Sequence, residues 1–348
     1  MPVNAYFGMV NISLIGLGQR GQATLQRLAY VPNANILIQC DVEMDWRDAA
    51  THPDVDLVWI CTPWEWHMRM AVTAMRAGKD VALEVPAAMT VADCETLVSV
   101  AKETGRHCVM LENCCYDTWH LGAREMVRQG MLGRIKHLEG AYAHTVPEGW
   151  MRAHGRRQAG NPYPTHAIGP MCQLLPEGDT LDYLVSLSSP LPGDHTNTSL
   201  VRSVSGVSML LHYDISTPRP YSRMQTVCGT LGFLQKYPLP TVHLDVKGGA
   251  VELVGDEAVE YVESFIPVNY QEMIREGRAL GVSNVMNYMM DRRLLDAIER
   301  IRSPHSGGMP ESCHMDMDVC DAALWSSVIE LTALSAEQGS VPVMFPRF

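Results

Sequence analysis

Two hydrophobic periods alternate along the first third of the chain. Residues 11–15 form a short apolar run that stops at Gly16-Leu17-Gly18-Gln19-Arg20-Gly21, and Ala23, Leu25, Leu28 and Ala29 then repeat at helical spacing. Further strand-like runs occupy residues 36–40, 55–60, 81–83 and 107–111, while residues 65–77 and 91–103 carry apolar positions three and four apart. Strands alternating with helices predict a parallel, doubly wound sheet, an α/β fold. After Leu111 the pattern changes. A helix over 119–129, ended by Gly130 and Gly133, leads into a strand over 135–144 and a glycine- and proline-broken loop over 147–164. Strand-like runs follow at 183–187, 199–204, 208–213, 224–228, 242–246 and 251–254. Turn residues separate them and no helix intervenes, which predicts a mostly antiparallel sheet. Helical spacing returns over 288–301 and 319–336.

The glycine triplet gains meaning from its place between a strand and a helix. Gly16 permits a tight turn, Gly18 lets the backbone approach a pyrophosphate, and Gly21 lets helix and strand pack closely. The helix N-terminus offers free N–H groups and the positive end of its dipole to the phosphates. Asp41 closes the second strand twenty residues after Gly21. A carboxylate there binds a ribose 2′-hydroxyl and repels the extra phosphate of NADP, so NAD is the expected cofactor. Residues 1–114 are therefore read as a Rossmann-type dinucleotide-binding domain. Residues 115–348 are read as an α+β domain for substrate binding and oligomerisation. About a dozen residues separate Asp41 from the third strand, room for one or two helical turns, so the connection on the adenosine side is clipped.

Composition narrows the class. The 348 residues are 47% apolar and 19% charged, enough to bury a sizeable core and too apolar for a disordered polymer. A formal charge of -12 gives no electrostatic footprint for nucleic acid or an anionic membrane. No unbroken apolar run approaches the ~18 residues of a membrane helix, and Met1-Pro2-Val3-Asn4 does not begin a secretory leader. The 10 cysteines are scattered, with Cys114 beside Cys115 and with Cys40 and Cys61 in apparent strands. Reduced thiols and a cytoplasmic location are expected. His305, Cys313, His314 and Cys320 match no zinc spacing, so no metal is expected.

Longer motifs make the reading specific. They are Cys61-Thr62-Pro63-Trp64-Glu65-Trp66-His67, Glu84-Val85-Pro86-Ala87, Glu112-Asn113-Cys114-Cys115-Tyr116, Tyr163-Pro164-Thr165-His166, Pro218-Arg219-Pro220-Tyr221-Ser222-Arg223 and Asp316-Met317-Asp318-Val319. Their order resembles the Gfo/Idh/MocA family of NAD(P)-dependent sugar oxidoreductases. Their local detail resembles one branch of it, the NAD-dependent glycoside hydrolase family 109 of α-N-acetylgalactosaminidase type. Ordinary sugar dehydrogenases of the broader family place a proton-transferring lysine where this chain has Val85. They also carry an aspartate-then-histidine pattern where this chain has His166, Gly169 and Pro170.

The resemblance implies hydrolysis through transient oxidation of the sugar at C3 by NAD. Loss of the acidified C2 proton, expulsion of the glycosidic oxygen, addition of water and re-reduction would complete it, without the paired carboxylates of most glycosidases. His166 suits removal of a hydroxyl proton. Tyr116 and Tyr163 are the candidates at C2 and at the leaving oxygen. A tyrosine acting as base needs help from a positive charge, for which Arg152, Arg219 and the nicotinamide are candidates. The expected cofactor contacts are Gly16, Gly18, Gln19, Arg20, Gly21, Asp41, Thr62, Pro63, Trp64, Trp66, His67, Glu84, Val85 and Asn113. Trp150, Arg152, Arg219 and Tyr221 join Tyr116, Tyr163 and His166 as substrate candidates, and a homo-oligomer is expected. Where relatives carry Gly-His-Gly-Gly-Met-Asp before the long C-terminal helix, this chain reads Val282-Ser283-Asn284-Val285-Met286-Asn287. The chain is thus a compact, divergent edition of the family. Two competing readings are a net sugar oxidoreductase on the same fold and a catalytically silent sugar- or nucleotide-binding protein.

Overall fold

The computed structural model describes residues 8–146, 159–191, 193–302 and 315–348. The five apolar runs of the first third form β1 (Val10–Ile15), β2 (Ala34–Cys40), β3 (Leu57–Ile60), β4 (Asp80–Leu83) and β5 (Cys108–Met110). They pair in parallel in the order β2-β1-β3-β4-β5. Every residue of β3 and β4 is buried, as a sheet covered on both faces requires. The connections carry α1 (Gln19–Leu28), α2 (Trp46–Thr51), α3 (Trp64–Arg76) and α4 (Val91–Thr104). The clipped segment after Asp41 keeps only the six-residue α2, started by Asp45, whose carboxylate accepts the Arg47 N–H at 2.9 Å.

A 3-10 turn over Asn113–Tyr116 and α5 (Thr118–Arg128) lead into the second sheet, whose first strand in the chain, β6 (Ile135–Ala143), is followed by α6 (Thr165–Cys172). Its remaining strands are β7 (Leu181–Ser188), β8 (Thr196–Ser203), β9 (Ser208–Asp214), β10 (Ser222–Gly229), β11 (Gly232–Gln235), β12 (Thr241–Val246), β13 (Gly249–Val254) and β14 (Val343–Met344). The order is β13-β12-β11-β10-β6-β9-β8-β7-β14, antiparallel throughout except for the β6–β9 pair. The expected antiparallel sheet is present. The short β11 and β14 escape a periodicity argument because four and two residues hold too little pattern. Two helices also went unread, α7 (Asp256–Glu263) and α8 (Val268–Ala279). Both interleave charged and apolar residues in short segments, and α7 starts from the acidic pair Asp256-Glu257 behind Gly255.

The chain divides into two compact units. One runs to Glu112 and takes back Asn269–Ala323; the other comprises Asn113–Val268 and Leu324–Arg347. A single cut after residue 114 therefore misses the return of α8 and α9 (Val285–Arg302) to the first unit. Polar ties hold that return. Arg27 Nε on α1 donates to Asp291 Oδ2 on α9 at 2.9 Å, and Asp291 is fully buried. Asn33 Nδ2 donates to Asp296 at 3.3 Å and to Glu299 at 3.0 Å. The Asp316-Met317-Asp318 motif has a structural task here too. Asp316 accepts from Arg293 Nη2 at 2.6 Å, and Asp318 and Asp321 exchange backbone-to-carboxylate bonds at the start of α10 (Val319–Glu337).

By length and hydropathy α10 is apolar enough to cross a membrane, although polar residues interrupt its apolar run. It is a core helix. Trp325, Val328 and Ile329 are buried, and so are Ser326, Ser327, Thr332 and Ser335. Thr332 Oγ1 accepts the Asn161 N–H and Ser335 Oγ the Ser186 N–H, both at 2.9 Å.

Candidate active site

The glycine-rich turn has the shape its sequence promises. Gly16 sits at φ 95°, and a Cβ there would stand 2.8 Å from the Cys61 carbonyl. A Cβ on Gly21 would fall 1.9 Å from the Gly16 oxygen. Gly18 is exposed with open space at its own Cβ position. No side chain caps α1, and its first turn holds no acid, so its leading N–H groups face the open side of the turn. A cradle closed by backbone behind and open at Gly18 fits the diphosphate of a dinucleotide. Gln19 and Asp41 are exposed on the same unit, and Asp41 Oδ1 accepts the Val42 N–H at 2.9 Å. Arg20 Nη2 reaches Glu84 Oε2 at 2.7 Å, while Glu84 Oε1 is buried without a hydrogen-bond partner among the described residues.

Thr62, Pro63 and Trp64 lead from β3 into α3, at the carboxyl ends of the strands where ligands of such sheets bind. Trp66 is 38% exposed, with the Arg69 guanidinium 5.8 Å over its ring. Val85 is buried. His67, expected at the cofactor, is fully buried instead, with Nδ1 2.7 Å from the Pro86 oxygen and Nε2 2.9 Å from the Thr62 oxygen. Both neighbours are acceptors and a neutral imidazole has one N–H, so the ring donates to one of these carbonyls and sits against the other, between the segments that follow β3 and β4. Burial also pushes its pKa down.

The second unit gathers polar aromatic rings. Tyr163, just before α6, places its hydroxyl 3.2 Å from His166 Nε2 in the first turn of that helix. Tyr142, near the end of β6, packs against both, with centroids 4.8 Å from Tyr163 and 5.7 Å from His166. His144 stands edge-on to Tyr142 at 4.8 Å and tilts against Tyr221 at 5.1 Å. Sequence reasoning missed Tyr142 and His144, since a β-strand rich in aromatics reads as ordinary core. Burial pushes the Tyr142 phenol up to about 12, which makes it a poor base at neutral pH. Tyr116 lies buried in the 3-10 turn, as does Asn113. Tyr221 is 44% exposed. Trp150 and Arg152 lie outside the described residues, as do His305, Cys313 and His314.

Arg219 pairs with Asp214, whose Oδ2 lies 3.3 Å from its Nη1. The buried cation of the motif is Arg223, 4% exposed, whose Nη2 donates to Asp117 Oδ2 at 2.5 Å. Lys236 Nζ lies 2.7 Å from both oxygens of the same carboxylate, and Asp117 also caps α5 through the His120 N–H. These two cations hold the Asp117 carboxyl far below its usual range against the opposing effect of burial.

Known proteins resemble this chain over nearly its whole length. Residues 11–112 match the family model described as oxidoreductase family, NAD-binding Rossmann fold. Residues 191–348 match the model described as glycosyl hydrolase 109, C-terminal domain. A protein of Phocaeicola vulgatus named glycosyl hydrolase family 109 protein 2 is 38% identical, over 98% of this chain and 94% of its own. The chain belongs to glycosyl hydrolase family 109. A Bacteroides fragilis relative named alpha-N-acetylgalactosaminidase is likewise 38% identical, over 98% of this chain and 92% of its own. Both alignments extend over 402 positions against the 348 residues present here, so this member of family 109 is compact. Among solved structures, a levoglucosan dehydrogenase in complex with NADH superposes with a TM-score of 0.74 at 18% identity, covering 97% of this chain and all of its own. An inositol dehydrogenase homologue of Azotobacter vinelandii with NAD+ gives 0.72 at 16% identity, covering 97% and 98%. These two likenesses bear on the fold alone.

Proposed function

We propose that this protein is an NAD-dependent glycosidase acting on α-N-acetylgalactosaminides. The observation that carries this reading is the pairing of Tyr163 with His166 in a chain whose residue between Glu84 and Pro86 is Val85. Valine neither donates nor accepts a proton, so proton transfer falls to the phenol–imidazole pair. NAD, when bound in the Gly16–Gly21 cradle, supplies reversible hydride acceptance. Tyr163 takes a proton from the sugar and passes it to His166 Nε2, and the return path delivers it to the departing oxygen. Tyr142 braces both rings, tilted against Tyr163 and edge-on to His166. Asp41 holds the adenosine ribose and discriminates against a 2′-phosphate. The name of the Bacteroides fragilis relative supports the sugar.

The test is stoichiometry. The purified protein with its NAD is given an aryl α-N-acetylgalactosaminide while aryl release and absorbance of NADH are followed together. Many turnovers of aryl release with no accumulating NADH are expected. Steady NADH production from a free sugar, without glycoside cleavage, would replace this reading with that of a net oxidoreductase.

A further inference from the structure

Behind His166 lies a small cavity bounded by α5, α6, β6 and β10, with room for one water or one monatomic ion. His166, Trp119, His120, Arg223 and Gln225 contribute to its wall. Arg223 Nε and Nη1 are buried without a partner among the described residues, and so are both amide atoms of Gln225. Four unanswered polar atoms on two residues that line one cavity are unusual, because each costs about 1–3 kcal/mol when left unsatisfied.

The backbone is bent to bring them there. Met224 and Gln225 adopt φ of 57° and 55°, and the β10–β6 register slips on either side of Met224. Two successive non-glycine residues in the left-handed region form a strained bulge, the kind of feature that re-aims side chains at a site.

Charge points to the occupant. Arg223 and Lys236 share the single carboxylate Asp117, whose oxygens are already taken by Arg223, Lys236 and the His120 N–H. Within this trio the positive charges outnumber the negative by one, Arg223 being the buried cation and Lys236 the partly exposed one, with Cys114, Tyr221 and Tyr237 also near the guanidinium. His120 does not change the sum, since burial holds its pKa down to about 4 and it is neutral. Glu139 also borders the cavity, but it alternates with the buried Leu138 and Gly140 along β6, and its Oε1 lies 3.5 Å from His137 Nε2. Its carboxylate is turned to the far side of the strand.

We infer that the cavity is a built site for a monatomic anion, chloride under ordinary conditions, held by the free N–H groups of Arg223 and the amide of Gln225. The anion neutralises the surplus charge and fixes the floor beneath His166. This inference stands on the second unit alone and does not depend on the glycosidase reading.

Bromide is the probe. Crystals of the full chain soaked in sodium bromide are expected to show one anomalous peak within contact distance of Arg223 and Gln225. Gln225→Leu should lower its occupancy, and Arg223→Met, which leaves Asp117 balanced by Lys236, should abolish it. In solution, exchanging chloride for gluconate at constant ionic strength should lower the melting temperature of the native chain but not of Arg223→Met. A cavity holding only ordered water at saturating bromide would overturn the inference. So would a peak that persists in Arg223→Met, the mark of an adventitious ion only, or a halide effect equal in both proteins.

Discussion

The hydroxyl of Tyr163 stands 3.2 Å from Nε2 of His166, three residues on and in the first turn of α6. Hydrogen-bond contact at that distance lets a proton cross between phenol and imidazole without either ring moving. Tyr163→Phe keeps the ring and its packing on Tyr142 but removes the hydroxyl. Turnover of the aryl glycoside is expected to fall about 10²–10⁴-fold, the usual worth of a positioned acid or base. Binding of NADH, followed by its fluorescence, should stay within error of the parent. Unchanged turnover would take Tyr163 out of the reaction.

Gly16 carries a separate prediction, on the cofactor. Gly16→Ala sets a methyl carbon 2.8 Å from the Cys61 backbone at a φ of 95° that alanine rarely adopts. The turn must open, which spoils the diphosphate cradle. NAD affinity measured by calorimetry should weaken at least about 10-fold, a loss of roughly 1.4 kcal/mol. The halide response of the second unit should be untouched.

Asp291 gives a pH dependence with a definite sign. Burial pushes this carboxyl up to about 6 although Arg27 opposes the rise; Glu84 adds to it and Arg20 opposes it. Unfolded, the same group titrates near 3.8. Between these values the folded chain binds the extra proton, so stability from this group is complete below about pH 4 and is lost as pH climbs through 6. The span is worth on the order of 2–3 kcal/mol. Urea unfolding of Asp291→Asn compared with the parent at pH 4.5 and pH 7.5 should show that this fall disappears in the variant. Parallel pH profiles would contradict it.

The parts of the fold that rest on period and punctuation were legible in the sequence. The parallel sheet followed from apolar runs alternating with helical spacing, and the dinucleotide turn from glycines at a strand-to-helix junction. What stayed hidden depends on contacts between distant segments. Arg223 reads in sequence as one more arginine after Pro218-Arg219-Pro220-Tyr221. Only folding reveals that Arg219 pairs with Asp214 while Arg223 is buried on Asp117, more than a hundred residues upstream. His67 looked like a cofactor contact because it follows Thr62-Pro63, and its ring is in fact closed between two backbone carbonyls. Tyr142 and His144 sit in a strand whose alternation already accounted for them as packing. The bulge at Met224 and Gln225 has no sequence signal at all, since neither residue favours the left-handed region.

The return of Asn269–Ala323 to the first unit bears on how relatives of this chain can be recombined. The dinucleotide unit is contiguous in space and split in the gene. A chimera that exchanges residues 1–112 alone would set a foreign α1 against the native α9. Asp291 would then lose Arg27, and Asp296 and Glu299 would lose Asn33, unless the donor happened to match at each place. Grafting the cofactor site of one family member onto another therefore calls for residues 1–112 and 269–323 to be exchanged together, through three crossovers, as one cassette.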